Sequence, residues 1–387
     1  MTTMTLTDER RALKEVAARL AADHYVPRAQ EWDRDRTPLP HDEVRRQADL
    51  GFLGMCLPEE YGGGGRPLYD ALIVLEELAK ASIVAGWPVF ETNVGPVRVI
   101  DLFGTEEQKQ AFLPPACTGE KMIAVSISEP DAGSAATDVT VRARIEGGEV
   151  VLDGVKRWCS GAGHAEQYLV YARMSDKPGA GGVGAVLVDR DVAGLSFGVQ
   201  EQLMGFRGVP SADMFFDSVR VPVEHVIIPA GGFKQLFTAF SIERLGNSTN
   251  SLACAQAALD RVSTYVQERK QFGKPIIDFQ LVQASLADMV IEVEAARLLI
   301  RRAAESAGTG APPPLEASVA KCFANEMAKR VTDRAIQLLG GYGYSAEYDV
   351  ERYHRDAHGW ALAGGTPNIQ RVRIASEYLG RRFDQRA

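Results

Sequence analysis

The sequence predicts an α+β fold, mainly α, in which a small β-domain separates an N-terminal helical domain from a C-terminal helical bundle. Three observations carry this. Residues 1–121 place apolar side chains at helical spacing, residues 122–231 alternate apolar and polar, and the helical period returns over 232–387. The first helix, in "LTDERRALKEVAARLAADHYV", follows Thr7, a capping residue type. "RPLYDALIVLEELAKAS" continues the pattern, and "TEEQKQAFLP" opens with Thr105 and Gln108 at capping-box spacing. In the middle, "VTVRARIEGGEVVLDGVKRW" alternates, turns at Gly147-Gly148 and alternates again, which predicts a hairpin. "EQYLVYARM", "GVGAVLVDR" and "ADMFFDSVRVP" read as further short strands separated by Gly, Pro and Asp turns. The bundle begins with "FKQLFTAFSIERL", which runs on toward "YVQERK". After it come "FQLVQASLADMVIEVEAARLLIRRAAESA", a "GTGAPPP" break, "LEASVAKCFANEMAKRVTDRAIQLLGG" and the closing "NIQRVRIASEYLGRRF".

Composition narrows the function classes. The 387 residues are 45% hydrophobic and 24% charged, the profile of a soluble globular chain. A net charge of -8 without a basic stripe argues against nucleic acid as a partner. Five scattered cysteines, with no Cys-x-x-Cys, read as reduced and mostly buried thiols of a cytoplasmic protein. His354 and His358 lie one turn apart without further nearby ligands, so no metal is expected. "MTTMTLTDERRAL" is polar and unlike a signal peptide, and no run approaches the ~18 apolar residues of a membrane span. "LGGYGY" lacks dinucleotide-binding glycine spacing and follows no strand, which argues against a nicotinamide site.

Five stretches in order carry a resemblance: "SISEPDAGSAATD" (126–138), "GVKRWCSGAGHA" (154–165), "ERKQFGKPIIDFQ" (268–280), "QLLGGYGYSAEYDVERYHRDA" (337–357) and "GGTPNIQRVRIA" (364–375). Together with the order of helix and strand, they make the chain similar to the acyl-CoA dehydrogenase family over nearly its whole length. That resemblance implies a C-terminal four-helix bundle, FAD as cofactor, and a homotetramer built as a dimer of dimers. It also implies an electron-transferring flavoprotein as the usual acceptor. Ser126, Ile127 and Ser128 would lie against the flavin, and Ser134 would meet the pantetheine arm of the substrate. Read by themselves, these residues are a polar surface turn exposing backbone N–H groups. Ala135 stands where the family usually has Asp. Trp158 and Ser160 match a Trp and a Thr or Ser that contact the flavin ring, whereas a lone Trp at a strand end is often core. Arg269 matches an Arg that reaches across a dimer interface to the FAD pyrophosphate, with Gln271 in place of a commoner Thr or Ser. Phe272, Gln280, Gln337, Gly340, Gly341, Thr366 and Asn368 complete the implied cofactor set. The bland reading of "QERK" is a solvated helix end.

The reaction implied is removal of a weakly acidic α-proton from an acyl thioester, with the β-hydrogen leaving as hydride. It needs a placed base and donors to the thioester oxygen. Most of the family carry the base as Glu in a Tyr-Glu-Gly-Thr loop. Aligned from "RDA", that position here is Gly364, and the stretch Trp360–Arg371 contains no acid. A minority, resembling isovaleryl-CoA dehydrogenase, place the Glu one residue before a family Arg, which in "SIERLGN" is Glu243 before Arg244. Two carboxylates in one pocket would raise each other's pKa, so a single one is expected. Gly364 would make room for Glu243, and its N–H would bind the thioester carbonyl. The competing reading of Glu243 is a surface carboxylate paired with a basic neighbour.

Glu91, Arg244 and Gly365 complete the implied substrate set, although Glu91 could equally cap the following helix. Arg98 reads as a snorkelling side chain or a buried pair. Asn247 and Asn250, one and two turns from Glu243, fit either a small, partly polar acyl group or bundle packing. Ala363 replaces a bulky Tyr and leaves space for branching or a ring. Ser241 replaces an Asp near the pantetheine arm, so an acyl-carrier-protein thioester competes with free acyl-CoA as the substrate. A flavin monooxygenase on the same fold is a third reading, and a non-enzymatic scaffold with a decayed site is a fourth.

Overall fold

The computed structural model describes residues 6–383, so the opening of the polar N-terminal stretch and the last four residues of the bundle lie outside it. Among the described residues, seven α-helices come first: α1 (Asp8–Leu20), α2 (Ala29–Asp35), α3 (His41–Asp49), α4 (Leu68–Ala81), α5 (Ile83–Asn93), α6 (Val97–Phe103) and α7 (Glu106–Cys117). Eight strands follow: β1 (Ile123–Ser126), β2 (Arg142–Glu146), β3 (Glu149–Ser160), β4 (Gln167–Arg173), β5 (Val183–Asp189), β6 (Leu195–Phe197), β7 (Ser211–Pro222) and β8 (Val226–Ile228). The chain then returns to helix with α8 (Phe233–Glu268), a small hairpin of β9 (Lys270–Gln271) and β10 (Lys274–Pro275), and α9 (Gln280–Ala307), α10 (Pro314–Leu339), α11 (Asp349–Leu362) and α12 (Pro367–Leu379).

Local signals produced several of these elements. Thr7 caps α1 through the Arg10 N–H at 3.3 Å. Thr105 and Gln108 form the capping box of α7, each side chain meeting the other's backbone N–H. The Gln108 amide also donates to the carbonyls of Glu224 and Val226, at 2.7 and 2.9 Å, and so ties α7 to the β-domain. At the β2–β3 turn Glu146 pairs with Glu149, while Gly147 and Gly148 take φ of 60° and 87°. Two successive left-handed residues match the twist of the flanking strands, which explains the glycine pair.

The sheet runs β6-β7-β3-β2-β4-β5-β8, with β1 added parallel to β4. Its inner face holds one apolar core. A second joins α6 and α7 to β1, β4, β5 and the start of α8. The largest core lies between the N-terminal helices and the bundle. Helices α8 to α11 form that four-helix bundle, with α8 also packed on α4 and α12 on α10. Thus α8 touches every layer and can present one side chain to all of them. All five cysteines are unpaired and four are buried. Among the described residues, no helix is long and apolar enough to cross a membrane, and no cluster of His, Cys, Asp and Glu is arranged to hold a metal.

Candidate active site

Helix α11 ends at Leu362, and the chain turns through Gly364 and Gly365 at φ of 66° and 83°. Side chains rarely adopt this left-handed backbone. Thr366 then caps α12 by accepting from the Ile369 N–H at 3.4 Å, and Pro367 takes the first helical position. Across the turn, α8 presents Glu243. A Cβ placed on Gly364 would lie 2.9 Å from both Glu243 carboxylate oxygens. The side chain from α8 occupies the space that any residue other than glycine at 364 would need.

Glu243 sits partly buried in a charged setting. Its Oε2 is buried without a hydrogen-bond partner, and burial raises its pKa against the opposing pull of Lys321 and Arg244. The expectation of one carboxylate is corrected here: Glu91 on α5 is fully buried and faces Glu243 electrostatically. Burial and then the charge of Glu243 hold Glu91 well above the usual carboxylate range. Both shifts favour the protonated form, and the larger one falls on Glu91. Glu91 lies within α5 and caps no helix. Arg244 is buried between the Phe237 and Phe240 rings, about 10 in pKa through burial and the nearby Arg373. Its Nη1 donates to Ser241 Oγ at 3.4 Å. Tyr171 on β4 is buried and senses both Glu243 and Arg244.

Behind the turn lies a polar network that sequence reasoning missed. Lys321 on α10 is fully buried, and its Nζ donates to Asn325 Oδ1 at 2.8 Å and to the Ala363 carbonyl at 2.9 Å. Asn247 Nδ2 donates to the Trp360 and Ala363 carbonyls at 3.1 and 3.3 Å. Asn325 Nδ2 closes the set onto Asn247 Oδ1 and Ser251 Oγ. Asn247 therefore serves packing, the second of its two readings. Asn250 is buried with Nδ2 unpartnered. Arg98 is the buried pair expected of it, 2.8 Å from Asp101, with donors also to the Cys56 and Thr309 carbonyls.

The β-domain supplies a second group. Ser126 is not on the surface turn expected from its motif. It ends β1, buried beside the Cys159 thiol, with no well-formed partner for its hydroxyl. The turn comes later, where Glu129 and Ala132 exchange backbone hydrogen bonds. Ile127 and Ser128 follow, half-buried. Under them, the fully buried Lys156 donates to the Ile127 carbonyl at 2.6 Å and to Glu129 Oε1 at 2.9 Å, with its pKa pulled down to about 8 by burial. Trp158 is not core: at a register shift between β3 and β7 it takes φ of 60°, and the residue is 53% exposed. Ser160, at the end of β3, is half-buried.

A third group lies where α8 ends. Arg269, Gln271, Gly340 and Gly341 line one cleft of about 660 Å³ with Tyr265, Tyr342 and Tyr348. Arg269 sits over the Tyr342 ring at 5.7 Å. Phe272, Gln280 and Gln337 do not line it; Phe272 is 94% exposed and meets Phe279 edge-on. Ser134 and Asn368 are exposed, Asn368 accepting from Arg371. The Gly365 carbonyl accepts from the Gln370 amide at 2.9 Å.

Three family models match in succession: the acyl-CoA dehydrogenase N-terminal domain over residues 7–120, the middle domain over 124–219 and the C-terminal domain over 230–379. The chain belongs to the acyl-CoA dehydrogenase family. Relatives include a 3-sulfinopropanoyl-CoA desulfinase of Paraburkholderia xenovorans, 38% identical over 98% of each chain. Another is the mitochondrial isobutyryl-CoA dehydrogenase of Dictyostelium discoideum, 35% identical over 96% of this chain and 89% of the relative. Among solved structures, butyryl-CoA dehydrogenase from Megasphaera elsdenii superposes with a TM-score of 0.93 at 31% identity, covering 98% of this chain and all of that one.

As a member of this acyl-CoA dehydrogenase family, the protein is an oxidoreductase acting on CH–CH bonds and an FAD flavoprotein. The residues present fit that cofactor. An exposed indole on strained backbone and an unsatisfied buried hydroxyl suit a flat, polar-edged ring. The Arg269 guanidinium in an aromatic cleft suits phosphate oxygens and an adenine face. The two buried lysines could not have been found from the sequence, because each lies in an otherwise ordinary amphipathic or alternating segment.

Proposed function

We propose that the protein dehydrogenates a short or branched acyl thioester to its α,β-enoyl thioester, with Glu243 as base. The supporting observation is the fit of the Glu243 carboxylate into the space over Gly364. A carboxylate with a buried, unpartnered oxygen holds a proton more tightly than one in water, so it is a stronger base. The Gly364 N–H is the donor we assign to the thioester carbonyl, where enolate charge develops. Bound FAD supplies the acceptor for the β-hydride. Ser126, Ile127, Ser128, Trp158 and Ser160 would hold its ring side, and Arg269, Gln271, Gly340 and Gly341 its phosphate and adenosine side. In this reading the base sits where isovaleryl-CoA dehydrogenase-like members carry it. Free acyl-CoA is the carrier, an electron-transferring flavoprotein the acceptor, and a homotetramer the working form.

The test is anaerobic mixing with short, branched and cyclic acyl-CoA esters while flavin bleaching is recorded. One or more esters should bleach the wild type, and Glu243→Gln should lose the rate by about 10³-fold or more. Bleaching that survives in the variant removes Glu243 as base. A second reading follows from the 38% identical desulfinase: cleavage of a C–S bond in a sulfinated acyl-CoA. Including 3-sulfinopropanoyl-CoA and assaying sulfite decides it, since sulfite release without bleaching would replace dehydrogenation.

A further inference from the structure

The end of α11 is held in an unusual way. The last carbonyls of a helix have no partner within it and carry the negative end of its dipole. Here the Ala363 carbonyl is met by Lys321 and Asn247, and the Trp360 carbonyl by the same two side chains, with Lys321 Nζ at 3.5 Å. Both donors are fully buried. An ammonium has three donors, and Asn325 Oδ1, Ala363 O and Trp360 O take all of them. Ala363 is the residue before Gly364, so the clamp ends one peptide from the turn that seats Glu243. The other side of the turn is fixed by the Thr366 cap and by Gln370 on the Gly365 carbonyl.

A cap alone would not need a charge. Asparagine already reaches both carbonyls, and a neutral side chain at 321 would avoid burying an ammonium, which is costly. Burial pulls the Lys321 pKa down to about 7 against the pull of Glu243, so below that pH the ammonium adds a field at Glu243, where it is the largest influence favouring the ionised carboxylate. The other groups facing this centre are Glu91 from α5, Tyr171 from β4, Arg244 on α8 itself and Arg373 from α12, with Cys322 beside Lys321. Burial opposes ionisation of Glu243, and Arg244 assists it.

We infer that Lys321 is a positioning residue for the Glu243 base. Its buried ammonium clamps the end of α11 so that the Gly364 turn lies against the carboxylate, and it sets a compensating positive charge behind that turn. The inference rests on Glu243 being the base. Acting through both geometry and charge, Lys321 must be read by pH as well as by rate.

The rate of anaerobic flavin reduction is followed against pH for the wild type, Glu243→Gln, Lys321→Gln and Asn247→Ser. Ionised Glu243 takes the proton, so the rate rises with pH through its pKa. Losing the ammonium raises that pKa and moves the acid limb upward by about 1 pH unit. Asn247→Ser weakens the clamp without changing charge, and should slow reduction with the limb in place. If Lys321→Gln slows reduction equally at every pH, Lys321 is only a structural cap and the inference is overturned. If Lys321→Gln yields no folded flavoprotein, Lys321→Met, which fills the same space without a charge, takes its place; an unmoved limb there overturns the inference equally. A Glu243→Gln variant that still bleaches would remove the base reading itself. A silent Glu243→Gln with an unmoved limb in Lys321→Gln would remove only the role of Lys321.

Discussion

At Gly364 one methyl group separates a working pocket from an obstructed one. Gly364→Ala places Cβ 2.9 Å from two carboxylate oxygens on a backbone at φ of 66°. The left-handed conformation costs about 1–2 kcal/mol for a non-glycine residue, and the contact displaces Glu243. We expect flavin reduction to slow by about 10²-fold while bound flavin is retained, a separation that stopped-flow and absorbance spectra measure together. Glu91 makes a second prediction at this scale. Its pKa is raised in the folded protein, so the stability it contributes is complete below its unfolded value, about 4.3, and is lost as pH rises through the folded one. Denaturant midpoints should therefore favour Glu91→Gln over the wild type by more at pH 8 than at pH 5. An equal difference at both would contradict a protonated Glu91.

Among the elements, α7 shows how a local device acquires a second task. The capping box belongs to the helix, yet the Gln108 amide is shared with two carbonyls of the β-domain. Thr105→Ala removes the cap alone, at about 1 kcal/mol. Gln108→Ala also strands the Glu224 and Val226 carbonyls and should cost about 2–3 kcal/mol, so its urea midpoint should fall further than that of Thr105→Ala. The same contrast explains what the sequence could disclose. The capping box, the glycine-pair hairpin and the long bundle helices are written in neighbouring residues and were legible. The place of Glu243 opposite Gly364 was legible through the family's motifs. Lys321 and Lys156 were not, because a lysine among alanines on a helix, or in an alternating strand, ordinarily marks the solvent side. Only the approach of other elements turns it inward. Ser126 departs from its turn reading for a related reason: its flanking Ser, Pro and Gly residues signal a turn that begins three residues later.

For the molecule as a whole, the joints between layers are made by single side chains with several partners. Arg355 on α11 pairs with Asp33 of α2 at 2.7 Å and with Glu351 of its own helix at 2.6 Å, and also donates to the Met204 carbonyl in the β-domain. Asp356 beside it accepts from the Phe206 N–H at 2.8 Å and is pushed by burial to about 6. Helix α11 is thus fastened at its middle to the N-terminal helices and the sheet, and at its end to Lys321 and Asn247. The turn that follows inherits its position from all of these layers.

The left-handed turn also bears on descent. With Glu243 as the base, an acid cannot be introduced at position 364 by one substitution, since it would meet a strained backbone and a carboxylate already in its space. Losing Glu243 first would leave no base at all. Each single step passes through a poorer enzyme, so the two positions can exchange the acid only together.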